Sequence, residues 1–197
     1  MVVLTWDLPV DEDFQYFSVY RSGELADYTV EPEFMEIQSG AEYYVTATDA
    51  NGNESEPSET ASGYSIDVAN LSGWNLVGLP LDVEDSNYLT IFPDAIENTL
   101  FSFDESYLPD STLIQGEGYW LRFDTTGTTT IIGNLINELT ISLSEGWNLV
   151  SGLHEDISIY SINDPDSTIV PNTLFGFFEA YFLTEELVPG KGYWLRA

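Results

Sequence analysis

Alternation of apolar and polar positions makes this chain a succession of short β-strands. Val2-Val3-Leu4-Thr5-Trp6 is β-branched and apolar, and a loop of Pro9 and Asp11-Glu12-Asp13 leads to a strand from Phe14 to Tyr20. Ser22-Gly23 reads as a turn, and Tyr28-Thr29-Val30 and Phe34-Met35-Glu36-Ile37 as brief strands. Glu42 to Thr48 alternates most clearly, with Tyr43, Val45 and Ala47 on one face. Asp49-Ala50-Asn51-Gly52-Asn53 has the composition of a turn. No segment carries apolar residues at helical spacing, so the expected fold class is all-β.

The later part of the chain is written twice. Gly73-Trp74-Asn75-Leu76-Val77 returns as Gly146-Trp147-Asn148-Leu149-Val150, offset by 73 positions. Gly118-Tyr119-Trp120-Leu121-Arg122 returns as Gly192-Tyr193-Trp194-Leu195-Arg196, offset by 74. Between them, Asn98-Thr99-Leu100-Phe101-Ser102-Phe103 matches Asn172-Thr173-Leu174-Phe175-Gly176-Phe177, and Tyr107 matches Tyr181. Ile66 and Val68 alternate ahead of the first Gly-Trp as Leu139 and Ile141 do ahead of the second, while the β-branched run Thr128 to Ile132 has no counterpart. The period exceeds the roughly 20–50 residues of solenoid repeats, and each unit alone is about the size at which a core becomes marginal. The expected organisation is a domain over 1–64 and a duplicated domain over 65–197. Its units, about 65–135 and 136–197, are expected to pack face to face with pseudo-twofold, antiparallel β structure.

In Gly-Trp-Asn-Leu-Val, alternation puts Trp and Leu on one face and Asn and Val on the other. Two readings stay open: a core Trp at a hairpin entry, or an exposed ring that stacks on sugars. The core position is the expectation for Trp74 and Trp147. In Gly-x-Gly-Tyr-Trp-Leu-Arg, Tyr and Leu share one face, Trp and Arg the other. Arg122 and Arg196 are half of the chain's four basic residues. Each is expected to pair with a carboxylate and pin its strand; the other reading is a ligand-binding Arg beside a Trp. The candidate ligand-binding set is therefore Trp120, Arg122, Trp194 and Arg196, with Tyr107 and Tyr181.

Composition narrows the partners. The 197 residues carry 34 acids against 4 bases, a formal charge of −30. Such a field repels nucleic acid and anionic lipid, and no stretch approaches the roughly 20 apolar residues of a membrane span. Spread acidity serves solubility in a salty medium or supplies weak Ca²⁺ sites. Asp49, Asn51, Asn53 and Glu56 are the best-grouped oxygen ligands, although Gly52 comes too early for an EF-hand loop and the plainer reading is a turn. Asp82 to Asp85 and Asn163 to Ser167 are weaker candidates. With no cysteine and one histidine, His154, the chain lacks disulfides, thiolates and the ligands of a zinc site. No Gly-x-Ser-x-Gly elbow is present, and carboxylates are too numerous for any pair to stand out. No catalytic residue is assigned, and the chain reads as a non-enzyme.

Two resemblances add to this reading. Leu4-Thr5-Trp6, Phe17-Ser18-Val19-Tyr20-Arg21 and Tyr44 through Ser55 resemble a fibronectin type III domain that begins at its second strand. That resemblance implies a β-sandwich with Trp6 between the sheets and either Tyr43 or Tyr44 as the corner tyrosine. The missing first strand leaves a sheet edge that another segment fills by strand addition, or the domain is a compact six-stranded variant. The duplicated part resembles the Gly-Trp-Asn-Leu-Val and Gly-Tyr-Trp-Leu repeats found beside such domains in large secreted bacterial proteins. It implies an extracellular or cell-surface location. No signal peptide is visible after Met1, so the chain reads either as cytosolic or as a mature or excised piece of a longer protein, and its stop inside the second motif favours the piece. The implied function is a non-catalytic structural or adhesion module that associates with itself, as in a filament, or with a cell-surface partner. The alternative is a carbohydrate-binding module attached to a secreted hydrolase, with polysaccharide as partner. A structural module hides all four repeated Trp residues; a binding module exposes at least one per unit in a groove.

Overall fold

The computed structural model describes residues 2–9, 13–36 and 40–197. Asp11 and Glu12 of the expected acidic loop, and Ile37 of the expected fourth strand, lie outside them. The fold is all-β, and the one α-helix among the described residues is a single turn. The chain forms two units, Met1–Ser65 and Ile66–Ala197.

The first unit contains β1 (Val2–Thr5), β2 (Phe14–Arg21), β3 (Glu24–Thr29), β4 (Glu33–Glu36), β5 (Glu42–Asp49) and β6 (Ala61–Ser62). β1 pairs antiparallel with β4, and β3-β2-β5-β6 form a four-stranded antiparallel sheet. β3 begins earlier than the apolar pattern suggests, because Glu24 and Leu25 pair with Arg21 and Tyr20 across the Ser22-Gly23 turn. Val19, Ala41 and Tyr43 form the core, with Leu4, Trp6, Phe34 and Val45 packed on it. Trp6 meets Phe17 edge-on at 5.3 Å. Tyr43 faces this core, whereas Tyr44 points to the opposite face and stacks on Tyr20 at 4.8 Å, as the period-2 alternation of a strand demands.

β7 (Tyr64–Asn70) begins at the end of the first unit and leads into the second, which continues through β8 (Gly73–Gly78), α1 (Tyr88–Ile91), β9 (Phe101–Asp104), β10 (Ser106–Pro109), β11 (Gly118–Phe123) and β12 (Gly127–Gly133). The second copy follows as β13 (Trp147–Ser151), β14 (Ile157–Ser158), β15 (Phe175–Phe178), β16 (Ala180–Leu183), β17 (Glu186–Leu187) and β18 (Gly192–Arg196). The sheets β10-β9-β11-β8 and β16-β15-β18-β13 have the same order in the two copies. The helix turn α1 is capped by the Asn87 side chain, which accepts from the Leu89 N–H at 3.0 Å. In the second copy a 3₁₀ turn, Ile159–Ser161, follows β14 instead.

The lead-in segments differ. β7 pairs with β12, but Leu139 and Ile141 do not belong to a strand. Alternation alone sustains no strand without a partner ladder, and none pairs with 139–141 among the described residues. The apolar side chains are still used. A Cβ on Gly116 would fall 2.8 Å from Leu139 and 2.9 Å from Ile141, and one on Gly190 would fall 2.2 Å from Val68. Each lead-in thus packs on the Gly-x-Gly turn of the other copy.

The polar residues of the motifs close turns. The Asn75 amide donates to the Leu71 and Gly73 carbonyls at 2.8 and 3.0 Å, and its Oδ1 accepts from the Leu71 N–H at 2.9 Å. Asn148 repeats this with Ser144 and Gly146. The glycine between, at φ 93° (Gly73) and 104° (Gly146), takes the left-handed conformation the turn needs. Tyr119 and Tyr193 are buried, and their hydroxyls accept from the N–H groups of Ile114 and Val188. Burial raises both phenols above their ordinary range; for Tyr119 the hydrogen bond it donates to Glu117 adds to this.

The copies join through a reciprocal interface. The Gly78 N–H donates to the Gly190 carbonyl at 3.1 Å, and the Ser151 N–H to the Gly116 carbonyl at 2.9 Å. A Cβ on Gly118 would lie 2.7 Å from the Val150 oxygen, and one on Gly192 the same 2.7 Å from the Val77 oxygen. Gly78 and Ser151 occupy equivalent positions and touch each other: a Cβ on Gly78 would be 2.1 Å from the Ser151 Cβ. Contacts of the form i to j′ and j to i′ are the signature of a twofold, so the pseudo-axis passes between these two residues. The one charge reversal near it is Glu117 against Lys191. The Lys191 ammonium donates to the Ala69 carbonyl, and burial lowers its pKa.

Candidate functional site: twin aromatic pockets

The sheet face that carries Trp120 in the first copy and Trp194 in the second is turned to the other copy. Leu76, Leu149 and Trp194 are buried there, with Trp120, Phe103, Phe175 and Phe177 packed around them. The opposite face of each sheet holds the copy's own core, including Val150, Leu174, Tyr193 and Leu195 in the second.

At two places the inter-copy layer opens. One pocket is lined by Trp74, Phe101, Tyr107, Trp120 and Phe177; the other by Trp147, Phe175, Tyr181, Trp194 and Phe103. Every lining residue of the first has its repeat partner in the second. Each pocket encloses about 380 Å³, within the roughly 300–1,000 Å³ of small-molecule sites. In each, one Phe comes from the other copy.

Ring geometry repeats between the pockets. Trp74 meets Trp120 edge-on at 6.3 Å, and Trp147 meets Trp194 at 6.4 Å. Trp74–Phe101 and Trp147–Phe175 lie at 5.9 and 6.0 Å, both inclined at 57°. Trp120–Phe177 and Trp194–Phe103 lie at 4.8 and 4.7 Å. Edge-on contacts are the arrangement ring quadrupoles favour.

Trp74 and Trp147 are 42% and 44% exposed, whereas Trp194 is 9% exposed. This corrects the expectation that Trp74 and Trp147 lie in the core. Alternation does place them with Leu76 and Leu149, but that shared face is the inter-copy one, and its outer ends are left uncovered. The candidates Trp120 and Tyr107 come together in the first pocket, and Trp194 and Tyr181 in the second. Trp74 and Trp147 take the alternative reading of their motif, an exposed ring, and the four Phe residues stand outside the candidate set; the matched Phe-x-Phe of the two units is the signal that points to them.

Arg122 sits opposite Trp74 in the β8–β11 ladder, and Arg196 opposite Trp147 in the β13–β18 ladder. Directly opposed residues share a sheet face at about 4.5–5.5 Å between Cβ atoms, so each exposed Trp has an exposed Arg beside it. Neither guanidinium is paired with a carboxylate among the described residues, contrary to the expected strand-pinning ion pair. The strand is held instead by a threonine. Thr99 Oγ1 donates to the Ile96 carbonyl at 2.6 Å and accepts from the Arg122 N–H at 3.3 Å. Thr173 does the same between Val170 and Arg196.

The acidic candidates close loops. The Asp49 carboxylate accepts from the N–H groups of Asn51 and Asn53 and from the Asn53 amide, bonds that hold its pKa below the usual range. Asn51 and Glu56 lie exposed in the same turn region. Asp164 is engaged by Thr168 and Ile169, and Asp85 by Asn87 and Thr90. Among the described residues no group of three or more His, Cys, Asp or Glu gathers as a metal site.

Comparison with protein-family models, with characterised proteins and with solved structures finds no match to this chain.

Proposed function

We propose that this chain is a non-catalytic carbohydrate-binding module of a secreted or cell-surface bacterial protein, with the twin aromatic pockets as its binding sites. The observation that carries this is the exposure of one Trp per repeat, Trp74 and Trp147, inside an aromatic recess. Pyranose rings present flat C–H faces, and Trp and Tyr bury such faces with little loss of side-chain entropy. Arg122 and Arg196, beside those Trp residues, each offer a fork of five N–H donors to ring hydroxyls. The reading of the first unit as a fibronectin type III-like spacer is supported by its β1–β4 and β3-β2-β5-β6 pairing and by Trp6 on Phe17.

The test is a glycan array followed by titration of the hits. Binding that protects Trp74 and Trp147 fluorescence from acrylamide, and that is lost in the Trp74→Ala/Trp147→Ala double variant, is the expected result. A folded wild-type protein that retains no glycan, or a double variant that binds as wild type, ends this reading.

A second reading, self-association, draws on one observation. β16 is a sheet edge with Tyr181, Phe182 and Leu183 all 47–54% exposed, and an exposed apolar edge is a template for pairing. Under this reading Phe182→Lys abolishes oligomers seen by light scattering or electron microscopy; a wild-type protein that stays monomeric at high concentration removes it.

A further inference from the structure

We infer that the module is bivalent: each pocket takes a separate carbohydrate chain, and one copy of the protein bridges two chains. The inference rests on the carbohydrate-binding reading and adds to it the number and direction of the bound chains.

Three observations lead there. The pockets are equivalent, since all five lining residues of one map onto the other and the ring distances agree to about a tenth of an ångström. They are related by rotation and not by translation. Phe177 of the second copy closes the first copy's pocket, and Phe103 returns the exchange. The pockets also stand away from the axis. Trp74 is four residues along β8 from Gly78, and Trp147 four along β13 from Ser151, about 13 Å at the rise of a strand.

A polysaccharide has direction, with a reducing and a non-reducing end. Binding subsites repeated by translation would read successive units of one chain in one sense. A twofold does not allow this. A chain that runs across the axis meets the second pocket reversed. A chain that runs along the axis is copied by the twofold as a second, laterally displaced chain. In either case two equivalent sites are filled by two chains.

On a polymer this arrangement produces cross-links, and the second contact on a chain network gains from effective concentration rather than from new contacts.

The experiment uses the full chain with two probe sets. Hexasaccharides of β-1,4-glucan, β-1,4-mannan, β-1,4-xylan and α-1,4-glucan give stoichiometry by calorimetry. The corresponding soluble polymers give cross-linking by turbidity. The expected result is two hexasaccharides per protein and turbidity with the matching polymer. Trp74→Ala or Trp147→Ala alone then binds one hexasaccharide with unchanged affinity and gives no turbidity. Arg122→Ala and Arg196→Ala, at exposed residues opposite Trp74 and Trp147, are second variants, each weakening one pocket alone, should either Trp variant fail to fold. One hexasaccharide per protein, lost on changing either pocket, means a single chain spans both sites; this overturns bivalency and leaves carbohydrate binding standing. Turbidity that survives loss of one pocket also overturns it. Absence of binding by the wild type to every probe overturns both.

Discussion

Phe103 packs edge-on against Trp194 at 4.7 Å, across the boundary between the two copies. A residue of one repeat therefore completes the pocket of the other, as Phe177 does for Trp120. The pocket walls and the interface between the copies are one layer of rings.

Phe103→Ala is expected to lower stability by about 2 kcal/mol, less than the roughly 3–5 of a fully buried Phe because Phe103 is only half-buried. Phe177→Ala should match it, given the repeated geometry. Urea unfolding followed by tryptophan fluorescence measures both. A difference between the two above about 1 kcal/mol would show that the copies do not share the interface equally.

Asn75→Ala removes an amide that makes three hydrogen bonds to the turn before β8. At about 1 kcal/mol per bond, with part of the loss recovered by water at this half-open turn, a destabilisation of about 2 kcal/mol is expected. Asn75→Asp keeps the acceptor but sets a carboxylate oxygen against the Leu71 and Gly73 carbonyls at a buried position, and should be no more stable than Asn75→Ala. Thermal midpoints in that order check the assignment; an Asn75→Ala protein as stable as wild type would remove it.

The axis residues make a swap experiment. Gly78→Ser sets two side chains where a Cβ already falls 2.1 Å from Ser151 Cβ, and a loss of about 3 kcal/mol or more is expected from overpacking. Gly78→Ser with Ser151→Gly restores one side chain to the axis and should recover most of the loss. Failure of the double variant to recover would place the axis elsewhere.

Alkaline titration follows from Tyr119 and Tyr193. Their folded pKa values lie above the unfolded value of about 10, so the unfolded chain releases these protons first. Their contribution is complete below about pH 10 and is lost as pH rises beyond it, by up to about 1.4 kcal/mol per pH unit for each group. Tyr193→Phe should flatten the alkaline limb of stability against pH. An unchanged limb would show that the Tyr193 hydroxyl ionises as readily in the folded protein as in the unfolded chain.

On the acid side the sign reverses. Asp49, Glu54, Asp85 and Asp164 are held below the ordinary carboxylate range by hydrogen bonds they accept. The stability they lend is present above their unfolded values, about 3.9 for Asp and 4.3 for Glu. It is lost as pH falls through the lower folded values. Acid unfolding of Asp164→Asn should begin at the same pH as in wild type or higher, with a smaller proton uptake; circular dichroism against pH measures the onset, and an onset at lower pH would show that the carboxylate lends no stability.

The strands and the duplication were legible because both are local. Period-2 alternation marks Tyr43 against Tyr44 and Tyr119 against Trp120, and the structure keeps each on its expected side. Which face meets solvent was not legible for Trp74 and Trp147. Alternation assigns them to a face, but only the angle at which the second sheet covers that face decides how much of a ring is left open. The Arg residues misled for a similar reason: a cation in an acidic chain suggests a carboxylate partner, while the backbone of β11 and β18 was already held by Thr99 and Thr173. Asn75 and Asn148 were visible in the repeat, yet a side chain that bonds four residues back leaves no periodic trace.

The contact of Gly78 with Ser151 also bears on how such a molecule can be assembled from parts. Two copies of the first half, paired as a dimer, would bring glycine to glycine at the axis and could close. Two copies of the second half would bring serine to serine and could not. Covalent linkage of the halves lets the two sides of the axis differ, and here they do: glycine stands at 78 and serine at 151, one side chain filling the space that two would contest.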